Sequence, residues 1–245
     1  MQPEQHTVTH TINRYRSFRY ELILEGVAVG AIAGAVVVAF RYLIDTLLNT
    51  ILDYGKANTW FIPVWFLILA AAAFAVAGLL KWDSLISGSG IPQVEGEIIG
   101  EIDECWWRVL IAKLGGGILS LGCGLSLGRE GPSIQLGAMA AKGFSRLTRR
   151  VKTEEKLLIT CGASAGLSAA FNAPIAGILF SLEEVHKHFS PELLLSSMAA
   201  SITSDFVSRN VFGLKPVFTF TITHMMPLNT YGHVLLLGVL IGTMG

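Results

Sequence analysis

Residues 60–80, WFIPVWFLILAAAAFAVAGLL, carry no charge at all. An uninterrupted apolar run of this kind matches the ~20 helical residues needed to cross ~30 Å of hydrocarbon. Its aromatics, Trp60, Phe61, Trp65 and Phe66, crowd one end, where an interfacial belt belongs. The rest of the chain agrees with a membrane setting: 52% of residues are hydrophobic and only 15% charged, with a mean hydropathy of +0.56. That balance exceeds what one soluble core requires. A formal net charge of zero argues against a nucleic-acid partner, which needs a clustered basic excess.

Upstream, 22–48 is apolar apart from Glu25, Arg41 and Asp45. It is long for a single span and predicts a tilted helix whose charged ends snorkel. Ahead of it, residues 1–20 are polar, carry Arg14, Arg16 and Arg19, and lack a small-residue cleavage site. They read as a cytoplasmic N-terminal segment, because basic residues flanking a first span stay inside. Cys105, Cys123 and Cys161 have neither C-x-x-C spacing nor paired histidines and read as small buried hydrophobes, so no metal site is expected.

Beyond residue 80 the pattern breaks up. Segments 105–127, 131–146, 157–170, 174–187 and 192–212 are apolar but cut by Gly, Pro and single charges, and several are too short to cross a bilayer. Broken helices at membrane depth are tolerated where protein or a water-filled cavity satisfies the freed backbone groups. The expected fold is therefore all-α: a polytopic membrane protein with tilted and broken helices, the architecture of a transporter or channel.

Three helix starts punctuate the apolar sequence: GSGIP (88–92), GREGP (128–132) and FNAP (171–174). In each, small or capping residues run into a proline, which suits the first turn of a helix. A helix N-terminus offers unpartnered N–H groups and about half a positive charge. Two of them aimed at one point make an anion site that needs no fixed cation. An Arg or Lys in low dielectric would hold an anion too tightly for turnover, whereas amides and hydroxyls such as that of Ser89 bind it weakly enough to release it. GSGIP alone is also what an ordinary glycine turn looks like.

Glu130, inside GREGP, is the residue that decides between these readings. An ionised carboxylate in a membrane faces a cavity, pairs, or takes up a proton. The structural alternative is a permanent ion pair with Arg129 or Lys113. The functional one is a titratable gate: ionised, Glu130 occupies the anion's place; protonated, it swings out and carries the proton.

GSGIPQVEG, GREGPSIQLGA and GLSAAFNAPIAGILFSLEE, in this order and spacing, resemble the CLC family of chloride channels and chloride/proton antiporters. The resemblance runs from about residue 20 to the end. It implies that Ser89, Gly90, Arg129, Glu130 and Gly131 contribute to chloride binding, with Glu130 as the external gating and proton glutamate. Glu184, the second of Glu183-Glu184, matches the internal proton glutamate of the antiporters, and Glu183 and Glu95 match secondary carboxylates. Read from the residues alone, Glu183 and Glu184 lie about 15 Å along a helix starting at Pro174, and without the resemblance they read as an exposed helix end beside His186, Lys187 and His188. Lys113 would add positive potential around the pore or pair with an acid.

The resemblance further implies a multi-pass protein of the cell membrane, with its N-terminus cytoplasmic, working in the bilayer as a homodimer. Chloride and protons are its substrates and no cofactor is needed. The small and aliphatic residues of 174–182 and 193–204 suit either a dimer interface or packing within one subunit. Family membrane domains are inverted repeats, and the second-half partners of the filter, a G-x-F-x-P stretch and a tyrosine, do not occur here. Residues 21–245 are thus expected to be the N-terminal half of a CLC-type domain, ending inside the first helix of the second repeat and unable to transport alone. Chloride/proton antiport is the expected activity of the whole. A proton-independent chloride channel and a fluoride-transporting relative are the alternatives. A membrane enzyme finds no support, since neither H-E-x-x-H nor G-x-S-x-G is present.

Overall fold

The computed structural model describes residues 3–58, 60–214, 227 and 230–244, with side chains from Tyr20 onward. Arg14, Arg16 and Arg19, on which the N-terminal topology rests, have side chains outside the described residues. The described residues form helices and no strand: α1 (Pro3–Ala57), α2 (Phe61–Trp82), α3 (Ile91–Ile99), α4 (Trp106–Gly122), α5 (Glu130–Leu147), α6 (Lys152–Phe171), α7 (Pro174–Phe180), α8 (Pro191–Phe212) and α9 (Tyr231–Met244). A 3-10 turn, Ser84–Ile86, precedes α3, and a π-helical turn, Ser181–His186, follows α7. Residues 1–214 form one compact unit; α9 belongs to a second, 215–245.

Every expected helix is present, and two differ in form. α1 is a single helix of 55 residues that begins at Pro3, so the backbone does not break between the polar segment 1–20 and the first span. Among the described residues, only Tyr20–Ala57 and Phe61–Trp82 are long and apolar enough to cross a bilayer by themselves. The helix expected from Pro174 through Lys187 gives way to π geometry after seven residues.

Small residues bring the long helices together. Gly26, Gly30 and Gly34 recur every fourth residue on α1 and meet Ser196, Ala200 and Ser204, which recur every fourth residue on α8. A Cβ at Gly34 would stand 2.9 Å from the Ser204 hydroxyl, so any side chain there would push the helices apart. Without a strong hydrophobic drive in lipid, such close approach and hydrogen bonds between helices supply the cohesion. Between α6 and α8 they form a ladder: Ser164 with Ser201 at 2.9 Å, Ser168 to the Ser201 carbonyl at 2.9 Å, Ser204 to the Ala165 carbonyl at 2.6 Å. The small residues of α8 are therefore engaged within the unit. Leu195, Met198, Ile202 and Phe206, on another face of α8, remain exposed.

The three charges within the apolar run 22–48 of α1 do not snorkel. Each is tied to a residue far along the chain: Glu25 pairs with Arg150, Asp45 with Arg129, and Arg41, 4% exposed, donates to the Ala169 carbonyl and to Asn172 Oδ1 at 3.1 Å. Ala169 and Asn172 form the C-terminal end of α6, where Asn172 is in left-handed conformation. A cation belongs there, against carbonyls that lack intrahelical donors. These charges are thus spent on partners within the fold: two on opposite charges and one on a helix end.

Candidate anion site

Two of the three helix starts meet. Gly90 is the N-cap of α3 at φ +92°, a conformation open to glycine and costly for other residues. It turns the chain so that Pro92 enters the first helical turn, while Ser89 Oγ accepts a hydrogen bond from the Ile91 N–H at 3.3 Å. Arg129 is the N-cap of α5, and Gly131 in its first turn lies against Ser89: a Cβ on Gly131 would stand 2.8 Å from the Ser89 Cβ. The positive ends of both dipoles are therefore presented together. The third start, Pro174 of α7, does not border this place.

A cavity of about 630 Å³ opens over the junction, bordered by Gly88, Ser89, Ile91, Lys113, Glu130 and Gly131 among others. Ser89 is exposed to it, and Glu130 is half-buried. Gly90 and Arg129, also expected at the anion site, stand behind its wall as the two N-cap residues. The Arg129 side chain turns away to Asp45, 3.6 Å off.

Lys113, 5% exposed, donates to the carbonyls of Ile86 and Gly88, both at 2.9 Å. It has no carboxylate partner among the described residues. Lys113 thereby ties two carbonyl groups of the turn that carries Ser89 to α4.

Glu130 is left without a partner among the described residues: neither Arg129 nor Lys113 pairs with it, and its carboxylate folds back over the Cα of Gly128. The permanent ion pair is thus not the arrangement adopted. The side chain stands at the first turn of α5, beside the cavity, where backbone N–H groups favour a negative charge. It is an unpaired carboxylate, among the described residues, at a helix N-terminus.

Glu183 and Glu184 are exposed on the π-helical turn. The next residue but two, Lys187, has left-handed backbone and forms an ion pair with Glu95 of α3. The hydrogen bond that Lys187 donates to Glu95, then the charges of Glu95 and Glu184, hold the Lys187 ammonium above the ordinary lysine range. Glu95, five residues beyond Gly90, sits about 7 Å down α3 from the anion turn. Lys187 is thus paired with Glu95 and feels the charge of Glu184, a role the sequence motifs did not indicate.

Sequence reasoning also missed a buried cluster under the turn: Glu97, Glu104, Gln135 and Lys142. The available signal was a lone charge in small and apolar surroundings, GEIIG and AAKG, the same signal that drew notice to Lys113.

A family profile described as "Voltage gated chloride channel" matches residues 71–245. The H(+)/Cl(-) exchange transporter ClcA of Vibrio cholerae serotype O1 is 36% identical over 235 residues, covering 92% of this chain and 50% of the relative. The chain spans about half the length of the curated relatives it matches. Among solved structures, a slow cyanobacterial Cl-/H+ antiporter superposes with a TM-score of 0.76 at 30% identity, over 91% of this chain and 54% of that one. A CLC-type fluoride/proton antiporter superposes with a TM-score of 0.67 at 23% identity, over 91% and 55%, and attests the fold alone.

Proposed function

The chain belongs to the voltage-gated chloride channel family, CLC, and on that premise we propose that the complete protein exchanges chloride for protons across a cell membrane. The observation that carries this reading is the unpaired Glu130 carboxylate at the meeting point of the α3 and α5 N-termini. Chloride is held by the Ser89 hydroxyl and by backbone N–H groups at the starts of the two helices, weakly enough to leave. Ionised Glu130 competes for that place. Protonation neutralises it and lets the anion in, so one site alternates between two exclusive occupants and couples their movements.

The second proton station is Glu184, on the π-helical turn that follows α7, and its presence supports exchange over a proton-independent channel. The chain supplies one half of the pore, the first unit of an inverted repeat, and a second repeat completes the anion site. Residues 1–20 lie in the cytoplasm. The protein works as a homodimer in the bilayer, and the exposed face of α8 at Leu195, Met198, Ile202 and Phe206 is the apolar surface suited to it.

The test is the complete protein in chloride-loaded liposomes, followed by a chloride electrode and a pH electrode together. Wild type should drive protons uphill when given a chloride gradient. Glu130→Gln, a mimic of the protonated state, should pass chloride and move no protons. Uphill proton pumping by Glu130→Gln would overturn the role assigned to this residue.

A further inference from the structure

Behind the Ser89–Gly90 turn, on the side away from the cavity, runs a file of polar side chains that chloride/proton exchange as described does not use. Gln135, about one and a half turns beyond Glu130 on α5, is fully buried. Its Nε2 donates to the Leu85 carbonyl at 3.0 Å and to Glu104 Oε2 at 3.2 Å, and its Cβ lies 2.8 Å from where a Gly90 Cβ would stand. Glu104, 2% exposed, sits in the connection between α3 and α4. The Glu104 N–H donates to Glu97 Oε2 at 2.6 Å, and Glu97, 3% exposed, pairs with Lys142 at 2.7 Å. Glu97 also borders a second cavity of about 460 Å³, lined by Glu101, Asp103 and Glu155 together with Lys152 and Lys156. A continuous polar file thus joins an acid-rich pocket to the back of the anion turn.

The donors of this file are one short. The Lys142 ammonium has three N–H groups, and they go to Glu97, to Asp103 at 2.8 Å and to the Glu104 carbonyl at 2.6 Å. Nothing remains for the Glu104 carboxylate beyond Gln135. Among the described residues, Glu104 Oε1 and Gln135 Oε1 are both buried acceptors with no donor. Orphan buried acceptors are costly. A proton on Glu104 converts one of them into a donor and removes a buried charge.

We propose that Glu104 holds an exchangeable proton and acts as a positioning residue for the anion site, its protonation setting through Gln135 how tightly the Ser89–Gly90 turn binds chloride. The inference rests on the anion-site reading above. Ionised, Glu104 accepts the Gln135 amide and places a negative charge behind the turn. Protonated, it loses that charge and offers an O–H, for which the orphan Gln135 Oε1 is the acceptor at hand. Turning to meet it withdraws Nε2 from the Leu85 carbonyl. The proton comes from and returns to water in the acid-lined pocket, so this branch carries no net proton across the membrane.

The groups facing Glu104 are Glu97 from α3, Gln135 and Lys142 from α5, Asp83 ahead of the 3-10 turn, and Lys113 from α4. Burial, with the charges of Glu97 and Asp83 behind it, outweighs Gln135 and Lys142 and lifts the carboxyl to about 7. The exchange therefore falls in the neutral range.

The experiment is chloride binding to the complete protein by calorimetry, in a Glu130→Gln background that silences the gate's own titration. Chloride should bind about fivefold tighter a pH unit below the Glu104 midpoint than a unit above it, a modest site-to-site coupling. Adding Glu104→Gln should fix the affinity at its low-pH value, and Glu104→Asp should restore a pH dependence. In parallel, infrared difference spectra should show a carboxyl band titrating near neutrality that Glu104→Gln removes. Binding whose pH dependence survives Glu104→Gln, or the absence of that band, overturns the proposal. No chloride binding at any pH overturns the anion-site reading and this coupling together, which separates the two failures.

Discussion

Gly131 and Ser89 lie so close that a methyl group on the first would stand 2.8 Å from the Cβ of the second. This contact sets how the N-termini of α3 and α5 meet. Gly131 is buried and its neighbour there is backbone as well as side chain, so no rotamer change can relieve the clash. In the complete protein, Gly131→Ala should separate the two helix starts and weaken chloride binding roughly tenfold, a loss of about 1.4 kcal/mol. Calorimetric titration with chloride measures this, and an unchanged affinity would show that the contact does not shape the site.

Arg41 joins α1 to the end of α6 by hydrogen bonds to the Ala169 carbonyl and to Asn172 Oδ1, adds Ser208 Oγ at 3.1 Å, and stacks over Phe212 at 4.3 Å. Arg41→Leu keeps the apolar bulk but leaves the Ala169 carbonyl and Asn172 Oδ1 to share the single Ser208 hydroxyl proton, at 3.3 and 2.8 Å. A cost of about 2–4 kcal/mol is expected, read as a lowered thermal unfolding midpoint in detergent. Asn172→Ala should lose less, since the backbone acceptor at Ala169 is retained. A midpoint unmoved in Arg41→Leu would mean that water replaces the guanidinium.

These two relationships differ in how far they could be read from the chain. Helix starts are local events. Glycine and proline within five residues announced the turn at Ser89–Gly90 and the start of α5, and the absence of charge in 60–80 announced α2. The partners of Arg41 lie 128 and 131 residues away, and no periodicity on α1 points to them. Glu97 and Lys142 escaped for the same reason: each looks like a stray charge until α3 and α5 are packed. The π-helical turn at Ser181–His186 was hidden because an i to i+5 bonding pattern leaves no clear mark on an apolar helical sequence.

Glu104 also predicts how stability depends on pH. Its carboxyl is raised in the folded protein from 4.5 to about 7, chiefly by burial. A raised pKa means that the folded state binds the proton more tightly than the unfolded one. The associated stability is fully present below 4.5 and is lost as pH rises through about 7. Roughly 3 kcal/mol at most is at stake. The unfolding midpoint of the complete protein should therefore fall over that window, and Glu104→Gln should remove this component, leaving the variant more stable than wild type above neutrality. A wild-type advantage at alkaline pH would contradict the burial argument.

Glu184 separates exchange from simple conduction. A proton crossing the hydrocarbon needs a station beyond the anion site, because one swinging carboxylate cannot span about 30 Å. Glu184 is exposed on the π-helical turn, and the adjacent Lys187 is already engaged by Glu95. That pairing leaves Glu184 without a salt bridge of its own among the described residues. In the complete protein, Glu184→Val should abolish proton movement while chloride continues, since Ser89, Lys113 and Glu130 border a cavity that Glu184 does not touch. Paired chloride and pH electrodes on the same liposomes give both fluxes at once. Proton transport unchanged in Glu184→Val removes the residue from the pathway, and a wild type without proton coupling moves the protein to the channel branch of its family.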